Sequence, residues 1–386
     1  MHIANDIIYV GVNDHDLDLF EGQYEVPLGM AYNSYAIIDD KVAVMDSVDA
    51  AAGDQWMENL ARALDGRLPD YLVVQHMEPD HSANIVRFMD AYPEAKIVSS
   101  AKAFAMMQNF YGQSYDDRQV VVKEKDALEL GKHTLTFIGA PMVHWPEVIV
   151  TYDEASKTLF TADAFGKFGA NDIEDPDGWA CEARRYYFGI VGKFGKQVQA
   201  LLKKLAAYDI ERICPLHGPV LDEDLGYYLD LYNTWSSYGV ESEGIAIAYC
   251  SVYGHTKEAV ELLAEKLEEA GCPKVAVSDL ARDDMAEAVE DAFRYGTLVL
   301  ASPTINGDMF PTMKTFIDHL ADHAFQNRRV AFIENGSWAA MATKAMRAKM
   351  ETCKDIAFAE TTVSITSALS DESRAQIDAL VAELAS

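Results

Sequence analysis

The 386-residue chain is long enough for two or three domains, and its composition, 49% hydrophobic and 24% charged, is that of an ordinary globular protein. Its formal net charge of -30 would repel nucleic-acid phosphates and anionic membrane surfaces, so partners of either kind are not expected. The N-terminus lacks a basic flank followed by an apolar stretch, and no run approaches the roughly 18 apolar residues of a spanning helix, which predicts a cytoplasmic protein. The five cysteines form no C-x-x-C pair, which disfavours a disulfide framework and a thiolate metal site.

The first 240 residues contain short apolar runs that often alternate with polar residues and are joined by turns. This pattern predicts β-strands at 35–48, 71–75, 96–100, 133–140, 147–153 and 157–163. Helical stretches at 54–64 and 196–209 are interspersed with them. The combination predicts an α+β domain in which two sheets pack face to face between helices, an αββα sandwich.

A compact set of possible metal ligands follows the predicted strand 71–75, in the stretch QHMEPDHSAN (75–84). In a tight loop the side chains at 76, 78, 80 and 81 can point toward one place, whereas on a regular strand they cannot. Further candidates each follow a later apolar run. The predicted ligands are His76, Glu78, Asp80, His81, His144, Asp163 and His217. By contrast, His2, His15 and His133 are expected at the surface or the terminus.

From about residue 245 the pattern becomes regular, because apolar strands alternate with helical stretches. Strands are predicted at 244–251, 274–280, 297–304, 328–335 and 357–366. Five such units form a doubly wound parallel sheet of the α/β class. We therefore expect two domains, residues 1–243 and 244–386, separated near the stretch YGVESEG.

Three loops at the carboxyl edge of the second predicted sheet are placed to bind one ligand. The first, YCSVYGHTKEAV (249–260), opens a helix, where backbone N–H groups and short hydroxyls bind a phosphate. Its spacing matches neither the dinucleotide fingerprint nor the triphosphatase loop. The other two loops are SPTINGDMF (302–310) and ENGSWAAMA (334–342).

The predicted ligands resemble those of the metallo-β-lactamase superfamily, in which an H-x-H-x-D-H loop and three later residues hold two metal ions. Glu78 replaces the second histidine of that loop, which is the mark of the flavodiiron proteins (A-type flavoproteins). A carboxylate in place of an imidazole favours redox-active iron over zinc. The resemblance implies one iron held by His76, Glu78 and His144, another held by Asp80, His81 and His217, and a bridge formed by Asp163. Some family members leave the last histidine of the loop off the metal, so His81 is either a ligand or a neighbour.

The three carboxyl-edge loops resemble the phosphate loop and the two isoalloxazine loops of flavodoxin, which implies FMN as a cofactor. By that resemblance the FMN-binding residues are Ser251, Tyr253, Gly254, His255, Thr256, Ser302, Pro303, Thr304, Ile305, Asn306, Asn335, Gly336, Ser337 and Trp338. Trp338 either flanks the flavin ring or is a surface aromatic. The family more often has a further glycine and a second aromatic where this chain has Ala339 and Ala340.

The resemblance covers essentially the whole chain and implies an oxidoreductase that reduces dioxygen to water, nitric oxide to nitrous oxide, or both. It also implies a head-to-tail homodimer, or a dimer of such dimers, and a separate electron donor such as a rubredoxin or a reductase. The preference between the two gases does not follow from the residues, and the family prior favours dioxygen. Tyr32, Tyr35 and Trp145 either lie near the irons or are ordinary packing residues.

Two other functions each account for part of the sequence. The first is a dizinc hydrolase of the metallo-β-lactamase type with an appended flavodoxin domain, which would make Glu78 a tolerated substitution. The second is an electron carrier attached to an inert scaffold, which conflicts with the complete set of seven ligands.

Overall fold

The computed structural model describes residues 2–4 and 6–385, and the chain divides into two compact units between Asn233 and Thr234. The predicted boundary at 243/244 falls within a strand of the second unit, Ser242–Tyr249. The segment just before that strand is bound to the same unit, because Arg328 donates hydrogen bonds to the carbonyl oxygens of Tyr238 and Gly239 at 2.8 and 2.9 Å. The exact domain boundary stays a prediction.

The first unit is built on two sheets. Among the described residues, its strands are β1 (His2–Ala4), β2 (Ile7–Tyr9), β3 (Val12–Asp14), β4 (Leu19–Phe20), β5 (Tyr24–Glu25), β6 (Met30–Tyr32), β7 (Tyr35–Ile38), β8 (Val42–Met45), β9 (Tyr71–Val73), β10 (Lys96–Ser99), β11 (Gln119–Val121), β12 (Ala127–Glu129), β13 (Thr134–Gly139), β14 (Ile149–Asp153), β15 (Thr158–Phe160) and β16 (Arg212–Cys214). One sheet has the order β1-β2-β7-β8-β9-β10-β11, and the other has the order β12-β13-β14-β15-β16. Two short pairs, β3 with β6 and β4 with β5, lie outside these sheets.

The helices of this unit connect the strands. They are α1 (Gly53–Leu64), α2 (Pro79–Ser82), α3 (Ile85–Ala91), α4 (Ala101–Tyr111), α5 (Trp179–Tyr186), α6 (Gly195–Leu205) and α7 (Leu225–Ser236), with 3-10 turns at Ala50–Ala52 and Gly192–Phe194 and a π-helical turn at Tyr187–Val191. The last residues of α7, from Thr234, belong to the second unit. Helix α1 places Trp56, Leu60 and Leu64 on one buried face, at the spacing of an amphipathic helix.

The core of the first unit lies between its two sheets. Strand β13 contributes the fully buried Leu135 and Phe137, which alternate with half-buried threonines, as expected for a strand with one face on the core. Ile37, Val73 and Val98 pack against them from the other sheet. The predicted αββα sandwich is confirmed, and the ligand-bearing segments follow β9, β13, β15 and β16.

The second unit is a doubly wound parallel sheet, as predicted. Its strands are β17 (Ser242–Tyr249), β18 (Val275–Asp279), β19 (Tyr295–Ile305), β20 (Asp308–Met309), β21 (Gln326–Asn335) and β22 (Lys354–Ile365), and its helices are α8 (His255–Glu269), α9 (Met285–Arg294), α10 (Pro311–Asp322), α11 (Ala342–Met350) and α12 (Asp371–Leu384). The order β18-β17-β19-β21-β22, with all these neighbours parallel, is the flavodoxin-like order. Short β20 pairs back on β19 through Asn306 and Gly307, both left-handed, as a two-residue hairpin turn requires.

One expectation about the histidines was wrong. His133 is only 5% exposed, and its Nδ1 lies 2.8 Å from Asp153 Oδ2. The two residues meet because His133 immediately precedes β13 and Asp153 ends its antiparallel neighbour β14. His2 and His15 are exposed, as expected. Within the part of the chain that the structure describes, no helix has both the length and the apolarity needed to cross a bilayer.

Candidate functional site

A first group of possible metal ligands forms beyond the ends of β9, β13 and β15. Its four members are His76, Glu78, His144 and Asp163. Glu78 Oε2 lies 3.1 Å from His76 Nε2 and 3.0 Å from His144 Nε2. These separations between ligand atoms suit one cation held about 2 Å from each of them. The group unites two residues of the predicted cluster, His76 and Glu78, with two residues that are distant in the sequence.

A second group lies beside the first and contains Asp80, His81 and His217. Asp80 Oδ2 lies 3.1 Å from His81 Nε2 and 3.2 Å from His217 Nε2. The two imidazole Nε2 atoms face each other at 3.0 Å. Asp80 and His81 belong to the single turn of helix α2, so the predicted loop becomes helical after Pro79, which occupies the first helical position.

Asp163 joins the two groups, because its two carboxylate oxygens face different ligands. Oδ2 lies 3.2 Å from His76 Nε2 and 3.1 Å from His144 Nε2. Oδ1 lies 3.3 Å from His81 Nε2 and 3.8 Å from His217 Nε2. A carboxylate in this orientation can bridge two metal ions. All seven predicted ligands are thus brought together.

Two buried carboxylates hold the first ligand loop in place. Glu147 Oε1 lies 2.9 Å from His76 Nδ1 and accepts a hydrogen bond from Met77 N at 2.9 Å. With Nδ1–H as the donor, Nε2 of His76 keeps its lone pair for a metal ion. Asp46 Oδ1 accepts the N–H of Gln75 at 2.7 Å, and its Oδ2 accepts from the Gln75 side chain at 2.9 Å. These hydrogen bonds fix the conformation of the loop at Gln75, His76 and Met77.

The ligands also perturb one another electrostatically. Burial alone would lower the pKa of His81, but Asp80 and Asp163 raise it to about 10. Burial would likewise lower the pKa of His144, but Asp163 and Glu78 raise it to about 9. Burial would raise the pKa of Glu78, whereas its hydrogen bonds with His144 and His76 lower the pKa to about 2. Without a metal ion the cluster is a set of ion pairs, so metal binding must release protons.

Aromatic rings enclose His217. The ring of Phe20 lies edge-on to it at 5.3 Å, Tyr186 lies at 5.5 Å and Tyr32 at 5.9 Å. The Tyr186 hydroxyl is buried and has no hydrogen-bond partner among the described residues. By contrast, the hydroxyl of Tyr35 donates to Pro215 O at 3.1 Å. The second group therefore has largely aromatic surroundings, and the Tyr186 phenol is available for a further hydrogen bond.

Trp145 lies against the first group, on the side of its histidines. Its ring is 5.2 Å from that of His76 and 6.0 Å from that of His144. Phe110 stacks on the other side of Trp145 at 6.4 Å and is itself partly exposed. Of the three aromatic residues singled out in the sequence, Trp145 and Tyr32 thus contact ligand rings, and Tyr35 supports the turn that carries His217.

The second unit has a cavity of about 770 Å³ at the carboxyl edge of its sheet. Its wall includes twelve of the predicted FMN-binding residues: Ser251, Tyr253, His255, Thr256, Pro303, Thr304, Ile305, Asn306, Asn335, Gly336, Ser337 and Trp338. The side chains of Tyr253 and Trp338 project almost freely at the rim, at 90% and 93% exposure. An aromatic ring at each side of an open cavity suits a planar ligand.

The cavity meets the amino end of α8 where the phosphate loop was predicted. Helix α8 begins at His255, and Gly254 before it has no side chain that could cap the helix, so the first N–H groups other than that of Lys257 are available to bind an anion. Ser251 Oγ accepts hydrogen bonds from Gly254 N at 3.2 Å and Lys257 N at 3.3 Å, which fixes the loop. Thr256 is buried at the same end.

Two predicted residues do not line the cavity, and one unpredicted loop does. Gly254 is the left-handed residue that precedes α8, and Ser302 is buried and accepts a hydrogen bond from Phe310 N at 2.9 Å. Ser367 lies in the loop after β22 and lines the cavity. Asn335 holds this loop with two hydrogen bonds. Its Nδ2 donates to Ser367 O at 2.9 Å, and its Oδ1 accepts from Ser367 N at 3.1 Å.

Comparisons with known proteins agree with both units. A family model described as ODP family beta lactamase matches residues 30–218, and one described as flavodoxin domain matches residues 246–364. The solved flavodiiron protein of Giardia intestinalis has a TM-score of 0.92 at 24% identity and covers 99% of this chain and 95% of its own. A nitric oxide reductase of Moorella thermoacetica is 30% identical over 91% of this chain and 90% of its own length. The chain belongs to the flavodiiron protein family.

Other members of the flavodiiron family give the same picture. The anaerobic nitric oxide reductase flavorubredoxin of Vibrio vulnificus is 26% identical over 91% of this chain and 72% of its own. The solved rubredoxin oxygen:oxidoreductase of Desulfovibrio gigas has a TM-score of 0.92 at 24% identity, over 100% of this chain and 97% of its own. As a family member the chain is an oxidoreductase, and its cofactors are FMN and two iron ions.

The residues of both sites fit these flavodiiron cofactors. Among the described residues, Asp80 Oδ1 is buried without a hydrogen-bond partner, and Asp80 Oδ2 and Asp163 Oδ1 face only histidine Nε2 atoms, which would themselves bind the metal. A buried ionised oxygen is costly unless it is paired, and a cation would pair it. Mixed imidazole and carboxylate ligands suit iron. The cavity of the second unit lies within the range of about 300–1,000 Å³ that is usual for cofactor pockets.

Proposed function

We propose that this flavodiiron protein reduces dioxygen to water, nitric oxide to nitrous oxide, or both, with FMN passing electrons to two irons held by the two ligand groups. One iron is assigned to His76, Glu78 and His144, the other to Asp80, His81 and His217, and the bridge to Asp163. The orientation of Asp163, with one oxygen toward each group, is the observation that carries this assignment. A bridge of this kind would hold two cations side by side.

Bound iron would supply adjacent positions for a diatomic molecule and the electrons to reduce it. The chain's own residues supply the surroundings. Phe20 and Tyr32 make the space beside His217 apolar, which suits a small neutral gas better than an anion. Both reactions consume protons, and the free hydroxyl of Tyr186 is placed to donate a hydrogen bond there. Trp145 closes the side of the first group.

Both gases are supported by named relatives. The relative in Moorella thermoacetica is a nitric oxide reductase, and the structural neighbour in Desulfovibrio gigas is a rubredoxin oxygen:oxidoreductase. The dizinc hydrolase is not favoured, because it leaves the flavodoxin-like unit and its cavity without a role.

The proposal includes partners and a location. We assign the electrons to a separate donor protein, such as a rubredoxin or a reductase, because the five cysteines form no built-in thiolate iron site. We also assign a head-to-tail homodimer, in which FMN of one copy serves the irons of the other, and a cytoplasmic location. Sedimentation of the iron- and FMN-loaded protein tests the dimer, and a monomer with full turnover would contradict it.

The decisive experiment compares the two gases directly. The protein is prepared anaerobically, its iron, zinc and flavin are quantified, and the reduced protein is mixed separately with dissolved dioxygen and with nitric oxide. We expect two irons and one FMN per chain and rapid oxidation of the reduced protein by at least one gas. A colourless, zinc-containing protein would support the hydrolase, and an iron-replete protein inert to both gases would refute the proposed reaction.

Asp163→Ala tests the ligand assignment. Because both oxygens of this residue face ligand atoms, the variant should lose most of its iron and turnover while FMN remains bound to the other unit. Asp90→Ala is the matched control, since Asp90 is an exposed carboxylate on α3. Iron content is measured by chemical analysis and flavin by absorbance. Full iron and full turnover in Asp163→Ala would contradict the bridge.

A further inference from the structure

Asn33 is a fully buried amide in the turn between β6 and β7. Its Nδ2 donates hydrogen bonds to Pro215 O at 2.9 Å and Gly218 O at 2.7 Å. Its Oδ1 accepts hydrogen bonds from the Tyr9 hydroxyl and from Asn171 Nδ2, both at 3.0 Å. The side chain therefore uses two donors and two acceptor positions, which is the full capacity of an amide.

The donor side of Asn33 holds the turn that carries His217. Pro215 and Gly218 flank that turn, and the backbone N–H of Asn33 also donates to Leu216 O at 2.8 Å. Three hydrogen bonds thus tie Asn33 to three residues of the turn, Pro215, Leu216 and Gly218. The turn cannot move away from the β6–β7 segment unless these bonds break.

The same segment orients the His217 ring itself. His217 Nδ1 donates to Ala31 O at 2.8 Å, which leaves Nε2 as the atom that faces Asp80. The Tyr35 hydroxyl adds a bond to Pro215 O at 3.1 Å. Backbone and side chains of residues 31–35 therefore fix both the position of the turn and the tautomer of its histidine.

An amide is required at position 33 because its surroundings have both polarities. Two carbonyl oxygens demand donors on one side, while a hydroxyl and an amide N–H demand an acceptor on the other. Aspartate has nearly the same shape but would place an oxygen against the two carbonyl oxygens. An apolar side chain would leave Gly218 O without this donor and would remove one of the two side-chain bonds to Pro215 O.

We propose that Asn33 is the positioning residue of the second metal group, and that it acts on His217 alone among the ligands. This inference rests on the proposed iron assignment. The first group has separate supports, since His76 is held by Glu147 and its loop by Asp46. Loss of the Asn33 donors should therefore weaken one iron position and spare the other. A purely structural role would instead lower stability without this asymmetry.

The test is an equilibrium titration of the metal-depleted full chain with ferrous iron under anaerobic conditions. Bound iron is determined by chemical analysis after gel filtration, and thermal unfolding is recorded for each protein before iron is added. In Asn33→Asp we expect one of the two iron positions to lose about 10–100-fold in affinity, the usual effect of removing an outer-shell partner, and the other position to stay as in the wild type. Tyr9→Phe is the matched control, because it removes one acceptor-side bond and leaves the turn bonds intact. It should bind both irons normally.

The outcomes separate the two proposals. Wild-type protein that binds fewer than two irons would refute the proposed function itself. Wild-type protein with two irons and an Asn33→Asp variant with two unchanged affinities, or with both reduced alike, would refute only the role of Asn33. If Asn33→Asp does not fold, Tyr35→Phe decides, since it removes only the bond to Pro215. It should show the same asymmetry to a smaller degree, and equal affinities would overturn the inference.

Discussion

Replacing Glu147 by alanine tests the support behind the first metal group. Glu147 Oε1 is the acceptor for His76 Nδ1–H and Met77 N–H, each at 2.9 Å, and all three residues are buried. The variant leaves two buried donors without an acceptor, and each such donor costs about 1–3 kcal/mol. We therefore expect the free energy of unfolding of the metal-depleted first unit to fall by about 2–6 kcal/mol, a large part of the roughly 5–15 kcal/mol typical of a domain.

The assay is urea unfolding of the metal-depleted, FMN-bound chain. Circular dichroism follows the protein as a whole, and flavin fluorescence follows the second unit, which should unfold at the same urea concentration in variant and wild type. Glu147→Gln is the matched variant, because it keeps a carbonyl oxygen as acceptor and removes the charge. It should retain more of the stability, while iron affinity falls by about tenfold because an anionic partner makes His76 more basic.

The reasoning would be refuted if Glu147→Ala lost less than about 0.5 kcal/mol, the range of an ordinary surface substitution, and kept normal iron affinity. That result would mean that water replaces the carboxylate without cost and that Glu147 is not needed to orient His76.

Three further predictions concern other parts of the chain. Thr256→Ala should weaken FMN binding by about 10–100-fold, the value of one hydrogen bond to a charged group, and leave iron unchanged, as fluorescence titration and metal analysis would show; the reverse pattern would mean that the units were misassigned. Tyr186→Phe should slow turnover but leave the free energy of unfolding equal or higher, because it removes a buried hydroxyl without a partner among the described residues; a clear loss of stability in urea would contradict this. His133→Gln tests the pair with Asp153, whose hydrogen bond raises the pKa of His133 in the folded state despite the opposing effect of burial. The contribution of a raised pKa is present below the unfolded value of about 6.5 and is lost as pH rises through the folded pKa, so the stability difference from the wild type should be largest in acid and shrink toward alkaline pH; a difference that grows with pH would refute it.

The second unit was predictable because its pattern is local. Each strand there is a short apolar run followed by a helical stretch, so strands such as 328–335 were located to within a few residues of Gln326–Asn335. The strands between residues 2 and 32 were missed, because they are two or three residues long and carry little periodicity. These strands form because of the strands with which they pair, and their own residues give little indication of them.

The residues of the candidate site likewise fall into those that the sequence predicts and those that it does not. The loop ligands were recognisable because four of them lie within six positions, and the distant ligands because each follows an apolar run. Tyr186 and Asp46 act only through contacts with residues far away in the sequence, and no local signal distinguishes them from packing residues. Glu147 did carry a signal, since it is a lone acid three residues after His144 and two residues before a buried strand. His133 was misjudged because its partner Asp153 becomes a neighbour only when β13 and β14 pair.

The two cofactor sites draw on separate stretches of chain. The ligand groups use positions 76 to 217, from segments that follow strands of both sheets of the first unit, whereas the flavin cavity is lined by positions 251 to 367. A ligand that binds only the folded state protects that state in proportion to the logarithm of its free concentration. Iron supply therefore changes how often the first unit unfolds and becomes accessible to a protease, and flavin supply changes this for the second unit. Protein made with ample flavin but little iron should be cut first in its N-terminal half, and protein made with the opposite supply should be cut first in its C-terminal half.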